Sequence, residues 1–308
     1  MDVASAILVF IDGLGVGLDD ESVNPLARLG SPLLSHVATD GPGKDLPFGG
    51  VFAPVDARLG VEGIPQSATG QTTLLTGRNA ASHLGRHLFG FPNRALRDIL
   101  YEASVLKRVE EGGRTARFAN AFRPLFFALP TSSMVRRLSA TTVATLAADI
   151  PFFDLDDLRA GRAVYQDFTH RFLIRRGFDI EPRTPAEAGR ILASMAGDFD
   201  FLLYEFFLTD RAGHACDMDD AVKVLAELDA FLEAFLSETD LSRRLVVVAS
   251  DHGNVEDLSR RSHTLHPAQA MVFGPEARAR AARLASLTDV TPLLLEALGL
   301  PGRQERLR

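Results

Sequence analysis

The sequence predicts an α/β fold with a three-layer core, in which helices cover both faces of a mostly parallel central sheet. Three apolar runs contain no regular alternation with polar residues, which is typical of strands buried on both faces. Amphipathic helical patterns lie between these runs. Hydrophobic residues make up 46% of the 308 residues, so the chain can bury a large core.

An aspartate follows each of the three predicted strands. The strands and their aspartates are residues 6–11 with Asp12, residues 199–207 with Asp210, and residues 245–249 with Asp251. In open α/β sheets, ligands bind at the carboxyl ends of the strands. One such aspartate is typical of a turn, whereas three at the same edge of a sheet indicate a binding site.

Local patterns predict the remaining elements. Apolar residues recur at helical spacing in three segments, and two further short runs resemble strands. The predicted helices are residues 94–111, 221–237 and 288–298, and the predicted short strands are residues 115–119 and 270–273. Glycines at 112–113 and at 299 predict where the first and third of these helices end.

Residues 123–185 fit this alternation of strands and helices less well. The stretch contains five prolines, and a loose loop of this length is uncommon in a compact domain. We therefore predict a small inserted cap over residues 123–185 and a core formed by residues 1–122 and 186–308. The arginines of the cap either grip an anionic substrate or form a solvated face. They are Arg123, Arg136, Arg137, Arg171, Arg175 and Arg176.

Composition excludes several classes of protein. The chain has 33 Lys and Arg against 40 Asp and Glu, so no sequence-wide basic field indicates nucleic-acid binding. Cys216 is the only cysteine, which excludes an internal disulfide and a cysteine-rich zinc site. No apolar run approaches the roughly 18 residues of a membrane helix, and residues 1–13 lack the basic leader of a signal peptide. We expect a soluble, cytoplasmic protein, and the sequence leaves its oligomeric state open.

Histidines accompany two of the strand-end aspartates. Asp210 and His214 are four residues apart, which puts both on one side of a helical turn within reach of a single metal ion. His252 directly follows Asp251, and Gly253 would allow a tight backbone turn. For Asp210 and His214, the alternative is an aspartate that starts a helix together with an incidental histidine. For Asp251 and His252, the alternative is a polar turn after a strand.

Two more histidines lie close together in residues 262–267. His263 is a candidate metal ligand. His266 precedes a proline and is either a ligand or a solvated loop histidine.

Ser67 is a candidate nucleophile. A loop containing a proline, residues 63–66, enters a helical segment that ends at Gly77. Ser67 lies at the N-terminus of this segment, where free N–H groups and the helix dipole favour an anion or a developing alkoxide. The alternative is that Ser67 only caps the helix, which is the commoner role of serine at this position.

Together these residues fit a site for two metal ions. The candidates are Asp12, Ser67, Asp210, His214, Asp251, His252 and His263. Mixed oxygen and nitrogen ligands suit zinc or manganese, and six ligands divided between two divalent ions leave positions open for a substrate. Three carboxylates leave two such ions with a net positive charge, so the site can accept a phosphate anion and hold an ionised serine as nucleophile.

The motifs, in this order, resemble those of the alkaline phosphatase superfamily, and most closely its cofactor-independent phosphoglycerate mutases and phosphopentomutases. They are FIDGLGVG with Asp12, the stretch from Ser67 to Gly77 and Arg78, D-x-x-x-H at Asp210 and His214, D-H-G-N at residues 251–254, and H-T-x-x-P from His263. The resemblance covers about residues 1–90 and 195–302.

This resemblance implies an alkaline-phosphatase-like core, two metal ions and a covalent phospho-enzyme. One ion would be held by Asp210, His214 and His263. The other would be held by Asp12, Asp251, His252 and Ser67. Ser67 would be the nucleophile, and Thr69 is an alternative that lies two residues late by its spacing to Gly77.

The sequence departs from the mutase pattern around Ser67 and in size. Gln66 and Gln71 replace an asparagine and a histidine of the mutase motif. A mutase encloses its intermediate under a large cap, whereas the interval from Arg78 to Phe199 must also supply core elements and leaves room for only a small cap. This favours a phosphomonoesterase or phosphodiesterase acting on a small phosphorylated substrate. The alternatives are a small mutase or phosphotransferase and a non-catalytic metal-binding interaction protein.

Overall fold

The computed structural model describes residues 3–128, 130 and 134–302 of the chain. The predicted cap residues 129 and 131–133, and the core residues 1–2 and 303–308, lie outside this description. The described part contains one six-stranded sheet with the strand order β2-β6-β5-β1-β4-β3. The strands are β1 (Ser5–Ile11), β2 (Val51–Val55), β3 (Ala116–Phe118), β4 (Phe201–Phe206), β5 (Arg244–Ser250) and β6 (Ala268–Phe273).

The sheet is mostly parallel, as the sequence predicts. Strand β1 pairs in parallel with both β4 and β5, and β3 pairs in parallel with β4. Strand β6 runs antiparallel to both of its neighbours, β5 and β2.

Helices surround this sheet, and several short ones lie in the connections. They are α1 (Pro25–Leu29), α2 (Ser67–Thr76), α3 (Ala80–Leu84), α4 (Arg94–Ala103), α5 (Val105–Glu111), α6 (Pro124–Ala128), α7 (Ala140–Ala147), α8 (Leu155–Arg159), α9 (Arg171–Arg175), α10 (Pro185–Met195), α11 (Leu208–Ala215), α12 (Met218–Glu238), α13 (Ala277–Ala281) and α14 (Val290–Ala297). Short 3-10 turns lie at Pro47–Gly49, Val135–Arg137 and Leu287–Asp289. No helix of the described residues is both long and apolar enough to cross a membrane.

Strand β1 divides the interior into two hydrophobic layers because its side chains alternate between the faces of the sheet. Leu8 and Phe10 belong to a core shared with residues of α2, α4, α5, α7 and α14. Ile7 and Val9 belong to a core shared with residues of α1, α10 and α12. The predicted three-layer architecture is therefore confirmed.

Two local features differ from the predictions. The predicted helix over residues 94–111 is two helices, α4 and α5, because Ser104 adopts an extended backbone and its hydroxyl accepts a hydrogen bond from the Lys107 backbone N–H. Strand β2 is absent from the predictions because Pro54 interrupts its pattern. Proline is tolerated there since β2 lies at the edge of the sheet and pairs only with β6.

The segment predicted as a cap has two parts. Helix α7 packs in the main core, where Val143 and Ala144 are fully buried. A separate small hydrophobic cluster is formed by Ala121, Leu155, Leu158, Ala163, Tyr165 and Leu173. The cap boundaries at residues 123 and 185 stay a prediction.

Candidate metal centre

The parallel strands bring the three aspartates to one edge of the sheet. Ile11 at the end of β1 is in register with Phe206 of β4 and with Ser250 of β5. Asp12 and Asp251 directly follow β1 and β5, and Asp210 lies in the first turn of α11, shortly after β4. All seven residues singled out from the sequence meet at this edge in two adjacent groups.

The first group, called the Asp210 group, consists of Asp210, His214 and His263. Asp210 and His214 are one turn apart on α11, and their Oδ2 and Nε2 atoms are 3.4 Å apart. His263, in the loop before β6, places its Nε2 3.4 Å from Asp210 Oδ1 and 3.2 Å from His214 Nε2. Three donor atoms, two from α11 and one from the loop before β6, therefore converge on one point.

The second group, called the Asp12 group, consists of Asp12, Asp251 and His252, all of which are buried. His252 Nε2 lies 3.3 Å from Asp12 Oδ1 and 3.4 Å from Asp251 Oδ2. Although Asp251 and His252 are adjacent in sequence, both side chains reach the same point. The His252 and His263 rings stack with their centroids 3.8 Å apart, so the two groups are neighbours.

The hydroxyl of Ser67 joins the Asp12 group. Ser67 is the first residue of α2, and its Oγ lies 3.1 Å from His252 Nε2. Ser67 is not the cap of this helix, which was the alternative role, because Gln66 occupies the N-cap position. The Thr69 hydroxyl instead donates to the Gln66 carbonyl at 3.0 Å.

The donor atoms of both groups fit metal cations. The Nδ1 atoms of His214 and His263 lie 2.7 Å and 2.9 Å from the backbone carbonyls of Arg261 and Pro65, so each ring donates there and turns an Nε2 lone pair inward. Buried Asp12 Oδ1 and Asp251 Oδ2 find no hydrogen-bond donor among the described residues. Inward lone pairs and buried unpartnered carboxylate oxygens are stabilised when cations bind between them.

The pKa values of the ligand residues show how strongly the carboxylates concentrate negative charge. Burial together with the Asp12 charge raises the pKa of Asp251 well above its ordinary value. Burial opposes a charged His252, but Asp251 and Asp12 outweigh it and raise the pKa of His252 to about 10. Burial also opposes ionisation of Asp210, yet a hydrogen bond to His263 and the His252 charge lower its pKa to about 2.

Two amide side chains that carry no assigned role in the sequence orient the aspartates. Gln71, on α2, donates to Asp12 Oδ2 at 3.2 Å. Asn254 donates to Asp210 Oδ1 at 2.7 Å. Each amide leaves the opposite oxygen of its carboxylate directed at a histidine Nε2.

Glu256 connects the three loops that carry ligand residues. Its Oε2 accepts hydrogen bonds from the backbone N–H groups of Gly15 and Asn254, at 3.0 Å and 2.7 Å. Its Oε1 lies 2.5 Å from Thr264 Oγ1 and 3.2 Å from His266 Nδ1. His266 therefore belongs to this supporting network rather than to a ligand group.

Gly253 is required for space. Its φ lies outside the left-handed region, so its backbone conformation does not itself require glycine. A Cβ atom at Gly253 would lie 2.3 Å from both Glu256 Oε1 and Thr264 Oγ1. The same carboxylate would lie 2.4 Å from a Cβ at Gly15.

Glu205 is a further buried acid, to which the sequence patterns assign no role. It lies on β4, lines the same cleft as Asp12 and Ser67, and accepts a hydrogen bond from Thr141 Oγ1 at 2.5 Å. Burial, reinforced by the Asp12 charge, raises the pKa of Glu205 to about 7. A single acid inside an otherwise apolar strand is the signal that marks it in the sequence.

Comparisons with known proteins bear on the family and on the fold. Residues 177–302 match the family model of the Metalloenzyme superfamily. The phosphoglycerate mutases (2,3-bisphosphoglycerate-independent) of Myxococcus xanthus and Desulforudis audaxviator are each 28% identical to this chain, over 42% and 40% of it. The matches cover only 28% and 26% of the lengths of these relatives.

Solved structures of low sequence identity share the fold. The PH0037 protein of Pyrococcus horikoshii superposes with a TM-score of 0.60 at 13% identity, over 99% of both chains. The alkaline phosphatase of the Antarctic bacterium TAB5 superposes with a TM-score of 0.56 at 13% identity, over 99% of this chain and 100% of its own. The Leishmania mexicana phosphoglycerate mutase superposes with a TM-score of 0.50 at 12% identity, over 100% of this chain and 97% of its own. The resemblance to alkaline-phosphatase-like metalloenzymes and the predicted fold class are confirmed.

We expect each ligand group to hold one divalent ion. The Asp210→Asn variant should lose about half of the bound metal, since an amide supplies one fewer anionic ligand to the Asp210 group. Elemental analysis after reconstitution and gel filtration measures the ions per chain. Asp98→Asn, at an exposed position of α4, is the matched control. Equal metal content in both variants would contradict the assignment of Asp210.

Glu256→Gln should weaken metal binding without removing a ligand. The carboxylate of Glu256 accepts from donors on both oxygens, so an amide must turn its NH2 towards one pair of donors. We expect a loss of about 10- to 100-fold in metal affinity, as for other residues that support metal ligands. Competition with a fluorescent chelator measures the affinity, and Glu238→Gln at an exposed position is the control. Unchanged affinity in Glu256→Gln would exclude the supporting role.

The raised pKa of Glu205 predicts that the stability of the protein depends on pH after a chelator has removed the metal. Its pKa is raised from 4.5 to about 7, so the folded state binds the proton more tightly, and stability falls as the pH rises through this interval. Glu205→Gln keeps an acceptor for Thr141 and removes the titration. At pH 8, we expect the free energy of unfolding of the variant to exceed that of the wild type by about 3 kcal/mol, and this difference should vanish below the unfolded-state pKa of Glu205. Urea unfolding of both proteins, measured from below that pKa to pH 8, gives the difference at each pH. Parallel pH profiles of the two proteins would refute the prediction.

Proposed function

We propose that this protein is a two-metal phosphoryl hydrolase, which releases phosphate from a small phosphomonoester or phosphodiester through a covalent phosphoserine at Ser67. The observation that carries the proposal is the position of Ser67. It lines a cleft of about 400 Å³ together with Asp12, Asp210 and His214, residues of both ligand groups. A phosphoryl group bound there would meet the nucleophile and the ligand residues at once.

In this proposal, Asp210, His214 and His263 hold one ion. Asp12, Asp251 and His252, with Ser67, hold the other. The mixed carboxylate and imidazole donors suit zinc or manganese. When bound, such ions polarise a phosphoryl oxygen and favour ionisation of the serine hydroxyl.

The chain's own residues prepare Ser67 for attack. As the first residue of the ten-residue helix α2, Ser67 lies where unpaired N–H groups favour negative charge. Its Oγ forms a bond to phosphorus as the bond from phosphorus to the ester oxygen breaks, and the serine proton departs with the alcohol. Water then attacks the phosphoserine, which releases phosphate and restores the Ser67 hydroxyl.

Access of water supports hydrolysis over transfer. The His214 side chain beside the cleft is 36% exposed. Among the described residues, the separate hydrophobic cluster has six buried members, five of which lie in the predicted cap. We infer that a cap of this size admits water to the phosphoserine, which suits a hydrolase.

A phosphomutase or phosphotransferase is the second candidate. The observation that favours it is that the two sequence relatives described above are phosphoglycerate mutases. Such an enzyme would return the phosphoryl group from Ser67 to an organic hydroxyl. The two candidates share the ligand groups and differ in the acceptor of the phosphoryl group.

Ser67→Ala should abolish phosphate release while the protein stays folded. We expect at least about a thousandfold loss of turnover with manganese or zinc present, since a missing nucleophile is rarely replaced. Malachite-green detection of phosphate measures the rate, and Ser82→Ala at an exposed position of α3 is the control. Full activity of Ser67→Ala would rule out the phosphoserine.

The same assay separates the two candidates when the substrate carries labelled phosphate. A hydrolase releases the label as inorganic phosphate. A mutase retains the label in organic esters, including phosphoglycerates and sugar phosphates, and that outcome would replace the hydrolase proposal by the second candidate.

A further inference from the structure

The walls of the cleft above Ser67 are strongly aromatic. Its volume of about 400 Å³ suits a small organic molecule. Five phenylalanines line it: Phe89, Phe91, Phe118, Phe122 and Phe207. Neither metal binding nor attack by Ser67 requires these rings.

Phe89 and Phe91 are the exposed members of this set. Their exposed fractions are 70% and 50%, and large apolar side chains exposed together beside a cleft are typical of a ligand-binding surface. Their loop is tied to the helix of the nucleophile: the Ala68 N–H donates to the Leu88 carbonyl at 3.2 Å, and the Leu88 N–H donates to Thr69 Oγ1 at 3.3 Å. Phe89 therefore follows a backbone position that is anchored beside Ser67.

Other rings of the cleft are held rigidly. Phe118 is buried at the end of β3, and its ring lies 6.1 Å from that of Phe122, centre to centre. Phe122 also contacts Phe126 and Phe152 at 4.3 Å and 4.8 Å. This wall is an apolar surface that forms before any ligand binds.

Positive charge is scarce in the cleft. Among the described residues that line it, Arg211 is the only arginine or lysine, and none of the six cap arginines takes part. A small phosphate ester with a second anionic group is usually bound by further arginine or lysine side chains. The lining therefore disfavours a phosphorylated hydroxy acid and favours an apolar organic group.

We infer that the cleft takes a phosphate ester of an alcohol that carries a flat aromatic group, with the phosphate directed to Ser67 and Arg211 and the aromatic group stacked against Phe89 and Phe91. This inference rests on the proposed function, because it assumes that the phosphoryl group is placed at Ser67. It adds the substrate class and names two residues that determine specificity.

The test compares esters with the same type of leaving oxygen. 2-Phenylethyl phosphate and ethyl phosphate both release a primary alkoxide, so an aromatic ring is the main difference between them. For the manganese-loaded full chain, we expect kcat/KM for the phenylethyl ester to be at least about tenfold higher, the effect of burying and stacking one ring. Equal values of kcat/KM would overturn the inference and leave the hydrolase proposal standing.

Variants test whether Phe89 and Phe91 cause the preference for the phenylethyl ester. In the Phe89→Ala/Phe91→Ala double variant, the two esters should become equivalent within about twofold, mainly through a higher KM for the phenylethyl ester. Tyr101→Ala removes an exposed aromatic side chain of α4 that does not line the cleft, and should leave the preference intact. A preference that persists in the double variant would overturn the role of Phe89 and Phe91.

Binding provides a readout that does not need turnover. 2-Phenylethylphosphonate and ethylphosphonate cannot be hydrolysed, and the aromatic compound should raise the Tm of the manganese-loaded protein more strongly. If neither ester releases phosphate, the proposed hydrolase fails, and the phosphonates still decide the inference. A larger shift with the aromatic phosphonate supports it, and equal shifts overturn it.

Discussion

The structure depends on the convergence of three carboxylates at the carboxyl edge of a parallel sheet. Asp12, Asp210 and Asp251 are brought together because β1 is in register with both β4 and β5. Like charges at such a distance repel strongly where water is excluded. Burial together with the Asp12 charge raises the pKa of Asp251, and the Asp251 and Asp12 charges raise the pKa of His252 against the effect of its burial. Two divalent cations would offset the repulsion between the carboxylates, which is the physical reason to regard this edge as a metal centre.

The surroundings of the carboxylates serve mainly to hold the ligands in position. Backbone carbonyls fix which nitrogen of His214 and His263 faces inward. Glu256 ties the loops after β1 and β5 to the loop before β6, and the glycines at 15 and 253 make room for its carboxylate. Ligand geometry therefore depends on a buried acid that belongs to neither ligand group.

Much of the fold and of the candidate site follows from the sequence alone. Continuous apolar runs predict β1, β4 and β5 because strands buried on both faces need no polar alternation. The aspartates and histidines stand out because they follow those runs directly. Strand β2 and the break at Ser104 are harder to predict, since Pro54 is compatible with a strand only at a sheet edge, and serine is compatible with a helix interior.

The sequence by itself determined the fold class, the three strand-end aspartates and the histidines near them, because buried strands and metal-ligand spacings leave local patterns. Only the tertiary structure decided that His266 supports the ligand residues rather than joins them, and that Glu205 lies in the cleft. It alone also brought Phe89, Phe118 and Phe207 into one cleft. These relations join residues far apart in the chain, and their distances are set by strand register and loop anchoring, which no local pattern records.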